Sequence, residues 1–255
     1  ASDALRREWR LRGPLLELHE GDGEPQADGS FAVLVVPAPS ASSWSPSGPA
    51  RWSPLAAFDP VLPPSLRPRC RQLLAEWRDG SPSPPLRPAW ARPGWYERAS
   101  AWMTDRLAEA GRLPTGPIEQ FTHWELSAVM RAETAGGRAW FKAVFPLFAH
   151  EPAITVLLDR ELPGRVAPVI AVDPGEGWLV LEDVGSEAVA DHPEADGPTI
   201  ARLVECQRRF VDRVHEPSAL GCPRRPFRDL GSDLAAALSD PIARAWLELS
   251  DERLE

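Results

Sequence analysis

Apolar and polar positions follow two different periods along the first part of the chain. Segments 15–19 and 31–36 are predicted strands, and the polar, Gly-rich stretch between them predicts a hairpin turn. Apolar residues then recur at helical spacing over 66–79, which predicts a short amphipathic helix. We therefore expect residues 1–79 to form a small α/β unit.

A proline-rich segment at 80–94 follows this unit. It holds five prolines in fifteen residues, a composition that favours extended backbone and prevents a helix interior. We interpret the segment as a semi-rigid linker. A tryptophan-rich stretch begins within it at Trp90, and we expect these side chains to pack inside the chain.

Strand-like and helical patterns alternate after the linker. A helical apolar stripe over 95–110 ends at Gly111. The next elements are strand-like runs at 118–124, 125–134 and 138–145, a helix at 149–160, and runs at 166–172 and 177–184. Gly136 and Gly137 predict a tight hairpin turn between the second and third runs. Beyond 185 a mostly helical segment is expected, with a helix that starts near Pro198 and carries an apolar stripe as far as Val214.

Composition narrows the class of protein. The chain is 43% hydrophobic and 25% charged, as in globular proteins, and no apolar run approaches the length of a membrane span. A net charge of −9 opposes nucleic-acid binding, which needs a basic surface. Cys70, Cys206 and Cys222 are far apart and predict neither a disulfide framework nor a zinc site. Because the N-terminus lacks a secretory pattern, we expect a cytoplasmic protein. From its charge and its short apolar runs, we expect that it binds neither nucleic acid nor membrane.

Lys142 is the one lysine among 28 basic residues, and all the others are arginine. Strand alternation places Trp140, Lys142 and Val144 on one face of the predicted strand and Phe141 on the other. A lone ammonium on an apolar strand must reach water or meet an anion. Its compact charge suits phosphate oxygens. The alternative is an edge-strand lysine that limits aggregation.

Glu151 lies on a helical stripe that is expected to face inward. The stripe also contains Ile154, Thr155 and Leu158. A carboxylate on an inward face requires a cation nearby. The alternative is that Glu151, next to Pro152 in the first turn, only caps the helix and interacts with its dipole.

The order of these pieces resembles the aminoglycoside phosphotransferase and choline kinase-like family over about 117–216. The resemblance is carried by Phe141-Lys142-Ala143, by 148–155, by 166–173 and by Gly177-Trp-Leu-Val-Leu-Glu-Asp-Val-Gly185. It implies an α+β fold in which 95–185 form a protein-kinase-like small lobe, an antiparallel sheet plus one helix. Residues 186–255 would then begin a partial helical lobe.

The resemblance also implies a site for ATP with Mg²⁺. Lys142 would hold the α- and β-phosphates, and Glu151 would orient it through an ion pair. Ser127 would belong to a loop that covers the nucleotide. The hinge beside adenine would consist of Leu181, Glu182, Asp183 and Val184, and apolar walls would come from Trp140, Val144 and Leu181.

The family's catalytic His-Gly-Asp…Asn loop has no counterpart in this sequence, because none of the five histidines is followed by Gly-Asp or Arg-Asp. The kinase-like stretch 227–234 lacks the required Asn and is predicted to be a helix N-terminus. We expect an ATP-dependent O-phosphotransferase acting on an unknown small molecule. The alternatives are an inactive kinase-like nucleotide-binding or scaffold protein and an α+β interaction protein in which Lys142 and Glu151 are purely structural.

A second resemblance concerns the N-terminal unit. Ala4-Leu-Arg-Arg-Glu-Trp-Arg-Leu-Arg-Gly13 is similar to the end of a Nudix-hydrolase box. Leu11 and Arg12 stand where that box places metal-binding carboxylates, so Mg²⁺ could not be held in that way. We therefore expect a degenerate Nudix-like module without this chemistry, in which the stretch is a helix with a solvated charged face.

Overall fold

The fold was obtained as a computed structural model, which describes residues 15–20, 31–35, 67–83, 87–185 and 196–240. The predicted hairpin turn before Phe31 and the Nudix-like stretch 4–13 lie outside the described residues. The chain divides into two compact units, residues 1–207 and residues 208–255.

The first unit contains all seven described strands. Its elements are β1 (Leu15–Glu20), β2 (Phe31–Val35), α1 (Arg67–Asp79), a 3₁₀ helix (Ala89–Ala91), α2 (Trp95–Glu109), β3 (Glu119–His123), β4 (Ser127–Thr134), β5 (Gly137–Val144), a 3₁₀ helix (Pro146–Phe148), α3 (Glu151–Glu161), β6 (Val169–Asp173) and β7 (Trp178–Glu182), followed by most of α4 (Asp196–Arg209). The predicted α+β class and the order of its elements are confirmed.

The strands form two antiparallel sheets. β1 and β2 make the predicted hairpin, with Leu15 opposite Val35 and Glu20 opposite Phe31. The larger sheet has five strands in the order β3-β4-β5-β7-β6, and every neighbouring pair is antiparallel. In the chain, helix α3 lies between β5 and β6, which are the third and fourth strands of this sheet in chain order.

The turn between β4 and β5 lies one residue earlier than predicted. Ala135 and Gly136 form the two-residue turn, while Gly137 pairs with Thr134 at the end of the ladder. Gly137 has φ of +102°, a conformation that favours glycine. The Gly136 N–H donates to the Thr134 hydroxyl, which further holds the turn at this position.

The main core lies between α2 and one face of the five-stranded sheet. Helix α2 buries residues at four-residue intervals, namely Trp95, Ala99, Met103 and Leu107. These contact a strand layer that includes Met130, Phe141 and Val180. Edge-to-face ring contacts join Trp90, Trp95, Trp102, Phe141 and Trp178. The tryptophan-rich stretch thus packs inside the chain, as expected.

Helix α3 lies next to β6, where the Val169 N–H donates to the Asp159 carboxylate at 3.1 Å. Its buried residues are Pro152 and Leu157. Because α3 follows β5 directly after a short 3₁₀ helix, the first turn of α3 lies close to the end of β5. This arrangement brings Glu151, at the start of α3, within reach of Lys142 on β5.

The predicted helix near Pro198 is present as α4, but its apolar stripe does not extend as a helix to Val214. The α-helical hydrogen bonds end at Arg209, and bonds between residues three apart follow. The Val211 N–H donates to the Arg208 carbonyl, and the Arg213 N–H donates to the Phe210 carbonyl. Within the described ranges, no helix combines the length and apolarity needed to cross a membrane.

The second unit contains the end of α4, helix α5 (His215–Ala219), a 3₁₀ helix (Phe227–Asp229) and α6 (Leu230–Ser239). The stretch 227–234 was predicted to begin a helix, and α6 confirms this prediction. Arg213 is joined to Glu216 by two hydrogen bonds at the start of α5.

Candidate functional site

Lys142 projects from the face of the sheet opposite α2. Phe141 is fully buried in the α2 core, so strand alternation turns the next side chain to the other face. In the ladder, Lys142 lies between Val129 of β4 and Leu179 of β7. Its neighbours across the strands are therefore both apolar, and its charge must be balanced from another element.

Glu151 provides that balance from the first turn of α3. The Lys142 ammonium donates a hydrogen bond to a Glu151 carboxylate oxygen. The two side chains are 35% and 32% exposed, so water screens the pair, and a pair of this kind contributes at most about 1 kcal/mol to folding. Among the described residues Glu151 is the one acceptor for Lys142, which leaves two ammonium hydrogens for an anionic ligand.

The position of Glu151 is fixed by its helix. Pro152, next to it, is fully buried, and the Thr155 hydroxyl donates to the Glu151 carbonyl at 2.8 Å. A buried first turn holds the backbone of Glu151 against the sheet. The carboxylate is thereby presented to Lys142 from a rigid element.

Trp140 lies two residues before Lys142 on the same face of β5. Its indole N–H donates to the Asp183 carboxylate at 3.0 Å. Its ring and the Phe121 ring of β3 form a T-shaped pair, with 5.0 Å between centroids and 82° between planes. Leu181 is its partner in the ladder. These contacts on several sides fix the orientation of the partly exposed indole.

Asp183 is held as a carboxylate by its neighbours. The hydrogen bond from the Trp140 indole lowers the pKa of Asp183 below its ordinary value of 3.8, and the Gly185 N–H and the charge of Arg138 act in the same direction. Burial acts in the opposite sense. The hydrogen bond from Arg138 to the Glu133 carboxylate raises the pKa of Arg138, so that side chain remains a cation above Trp140.

The segment after β7 leaves one backbone donor available. The Glu182 N–H donates to Pro168 at 2.9 Å, and the Asp183 N–H donates to Arg138 at 3.2 Å. Val184 is 73% exposed, and within the part of the chain that the structure describes its N–H meets no acceptor. As far as the described residues go, this segment therefore offers a free N–H at the end of β7, near Trp140.

Ser127 and Val144 lie at the opposite end of the same face, where they are partners in the ladder. Both are buried, with 8% and 6% exposure. The Ser127 hydroxyl accepts a hydrogen bond from the Trp124 indole at 2.7 Å. Its own hydrogen remains available as a donor.

The predicted site residues thus fall into two groups. One face of the sheet carries Ser127, Trp140, Lys142, Val144 and Leu181, with Glu151, Asp183 and Val184 at its borders. The Glu182 side chain is separate from them, because Glu182 is the ladder partner of the buried Ala139 and forms an ion pair with Arg112. Only its backbone belongs with this group.

Two residues of this face were not predicted from the sequence. Phe121 contacts Trp140, and the Arg131 guanidinium lies 5.5 Å from the Phe121 ring centroid while it pairs with Glu119. Alternation in the run 118–124 contained part of this signal, but the register shifts between Gln120 and Thr122. A shift of register changes the face of a side chain, so the pattern alone did not place Phe121.

The carboxylates nearest Lys142 accept hydrogen bonds from protein donors. Within the described ranges, no group of three or more His, Cys, Asp or Glu side chains is placed to hold a metal ion. Asp183 is occupied by the Trp140 and Gly185 donors, and Glu151 is occupied by Lys142.

Comparisons with known proteins assign no family. No protein-family model matches the chain, and no curated protein matches its sequence. Function must therefore be argued from the site.

Proposed function

We propose that this chain binds ATP on the Lys142 face of the five-stranded sheet, as the nucleotide-binding part of a phosphotransferase of the aminoglycoside phosphotransferase and choline kinase-like type. Such an enzyme would transfer the γ-phosphoryl group of ATP to a hydroxyl of a small molecule.

The observation that carries this proposal is the Lys142–Glu151 ion pair and its place in the topology. Lys142 lies on the third strand of the sheet in chain order, and Glu151 lies on the helix that connects the third and fourth strands. In protein kinases a lysine on the third strand and a glutamate on the following helix form the pair that positions ATP phosphates. The two ammonium hydrogens of Lys142 that have no acceptor in the described ranges suit phosphate oxygens.

The other end of the face suits a nucleobase. The Val184 N–H, in the segment after β7, meets no acceptor among the described residues, and a ring nitrogen of adenine could accept its hydrogen bond. The indole of Trp140 provides a flat apolar surface on the same face, and its orientation is already fixed by Asp183 and Phe121. A ligand would therefore not have to order this side chain on binding.

The phosphate end retains a polar group as well. Ser127 lies two ladder positions from Lys142 on the same face, since Ser127 pairs with Val144 and Val129 pairs with Lys142. Its hydroxyl has one hydrogen left to donate. The turn between β3 and β4 is short and contains Trp124, so a glycine-rich loop is replaced here by a compact turn.

Calorimetric titration with ATP tests this function. The perturbation is Lys142→Ala, which removes the ammonium. Loss of a charge-assisted hydrogen bond to phosphate is expected to weaken ATP binding by about tenfold to a hundredfold. Arg160→Ala is the matched control, because it also removes one positive charge from the region of α3 but lies 66% exposed at the far end of that helix.

Three outcomes separate the hypotheses. Weakened binding in Lys142→Ala with unchanged binding in Arg160→Ala supports the site. Equal affinity in all three proteins places ATP elsewhere and refutes the assignment of Lys142. No detectable binding to the wild-type chain refutes the function and leaves the interaction-protein hypothesis, in which the pair is structural.

A further inference from the structure

The proline-rich segment 80–94 is tied to the elements on both sides of it. The Arg87 guanidinium donates to the Glu76 carboxylate of α1 at 2.6 Å, and both side chains are almost completely buried, with 1% and 2% exposure. The Ser83 hydroxyl donates to the same Glu76 oxygen at 2.7 Å. A buried pair of this kind is costly to break, because the remaining charge loses its partner.

A second connection runs from the same segment into the sheet. The 3₁₀ helix Ala89–Ala91 places Trp90 in the core with 3% exposure, and its indole N–H donates to the backbone carbonyl of Trp124 at 2.8 Å. Strand β1 lies beside this 3₁₀ helix. The segment therefore contacts the N-terminal hairpin as well as the turn between β3 and β4.

The turn that receives this hydrogen bond is next to the candidate site. The Trp124 N–H and indole both donate to Ser127, at 2.9 and 2.7 Å, and Ser127 lies on the Lys142 face. Trp124 itself is 54% exposed, so the packing of its side chain alone does not hold the turn. The bond from Trp90 joins Trp124 to the core beneath α2.

We infer that Trp90 is a positioning residue for the turn between β3 and β4, and that it couples the docking of the N-terminal elements to nucleotide binding. The path runs from Glu76 of α1 through Arg87 and Trp90 to Trp124. The coupling to nucleotide rests on the proposed function, whereas the positioning of the turn does not. Because such coupling is reciprocal, ATP should also protect the backbone of α1.

Trp90→Phe tests the inference with a matched control. It keeps an aromatic ring in the core but removes the indole N–H. Trp95→Phe makes the same change at a neighbouring residue, whose ring centroid lies 6.3 Å from that of Trp90. Trp95 is 5% exposed, and its indole N–H has no acceptor among the described residues. Only the first substitution therefore removes a hydrogen bond.

Hydrogen exchange of the amides at 123–127, measured without nucleotide, gives the first result. We expect faster exchange in Trp90→Phe by about fivefold, the effect of one lost hydrogen bond, and wild-type exchange in Trp95→Phe. Glu76→Gln, which removes the buried charge facing Arg87, should also speed exchange at 123–127. Unchanged exchange in both Trp90→Phe and Glu76→Gln overturns the inference.

ATP titration of the same variants gives the second result. Trp90→Phe should bind ATP about fivefold more weakly than Trp95→Phe does. Faster exchange in the turn with unchanged ATP affinity overturns the coupling. If the wild-type chain binds no ATP, the proposed function and the coupling both fail, and the exchange data alone then decide the positioning role of Trp90.

Discussion

Lys142→Met separates a binding role of Lys142 from a structural one. Methionine keeps an unbranched side chain of similar length between the apolar neighbours Val129 and Leu179, but it removes the charge. The pair with Glu151 is about one-third exposed on both sides, so its loss should cost no more than about 1 kcal/mol. Water can solvate the remaining Glu151 carboxylate. For a chain of this length that cost corresponds to a melting temperature within about 4 °C of wild type.

The assay is thermal unfolding of both proteins with and without ATP. At an ATP concentration 100 times the wild-type Kd, binding should stabilise the wild type by about 2.7 kcal/mol, or about 5–10 °C. Lys142→Met should gain much less at the same concentration. Arg106→Met controls for the loss of an ion pair, because Arg106 is 36% exposed and pairs with Glu109 on α2.

Either of two results would refute a binding role of Lys142. If the free energy of unfolding of Lys142→Met without ATP falls by more than about 2 kcal/mol, the ion pair with Glu151 stabilises the fold, as a structural role requires. An equal gain from ATP in wild type and Lys142→Met means that the nucleotide does not use this ammonium.

Two further predictions concern stability. The pKa of Asp183 is lowered in the folded state. The Asp183 carboxylate therefore adds to the free energy of unfolding above the unfolded pKa near 3.8, and this contribution is lost as the pH falls through the folded pKa. Urea unfolding at a series of pH values should therefore show a steeper acid loss of stability in wild type than in Asp183→Asn, and equal slopes contradict this. Gly137→Ala should lower the free energy of unfolding by about 1–2 kcal/mol, because Gly137 has φ of +102°. Gly136→Ala should lower it much less, because the added Cβ would meet the Arg112 side chain at an ordinary 3.6 Å. Equal losses in the two glycine variants would exclude backbone strain at Gly137.

The elements of the large sheet could be predicted because their signals are local. Alternation in β5 placed Lys142 and Phe141 on opposite faces, and the fully buried Phe141 confirms it. Glu151 does meet Lys142, but the predicted inward stripe of α3 was wrong, because Ile154, Thr155 and Leu158 are only half-buried and the buried residues are Pro152 and Leu157. The alternation in β5 depends only on the period of the backbone, which the sequence displays directly.

The contacts that surround these residues could not be predicted because they join distant parts of the chain. The bond from Trp90 to Trp124 spans 34 positions, and the bond from Trp140 to Asp183 spans 43. Neither leaves a periodic signal. The proline-rich composition of 80–94 also gave no sign that Arg87 would be buried there.

The single lysine has a practical consequence for chemistry on this protein. Reagents that acylate primary amines have one side-chain target in the sequence, Lys142, besides the terminal amine. At 35% exposure its amine is accessible to a small reagent, while the Glu151 carboxylate that accepts its hydrogen bond hinders the approach of the reagent. One covalent tag therefore marks the proposed phosphate end of the site, and the rate of its attachment records whether that ion pair is closed.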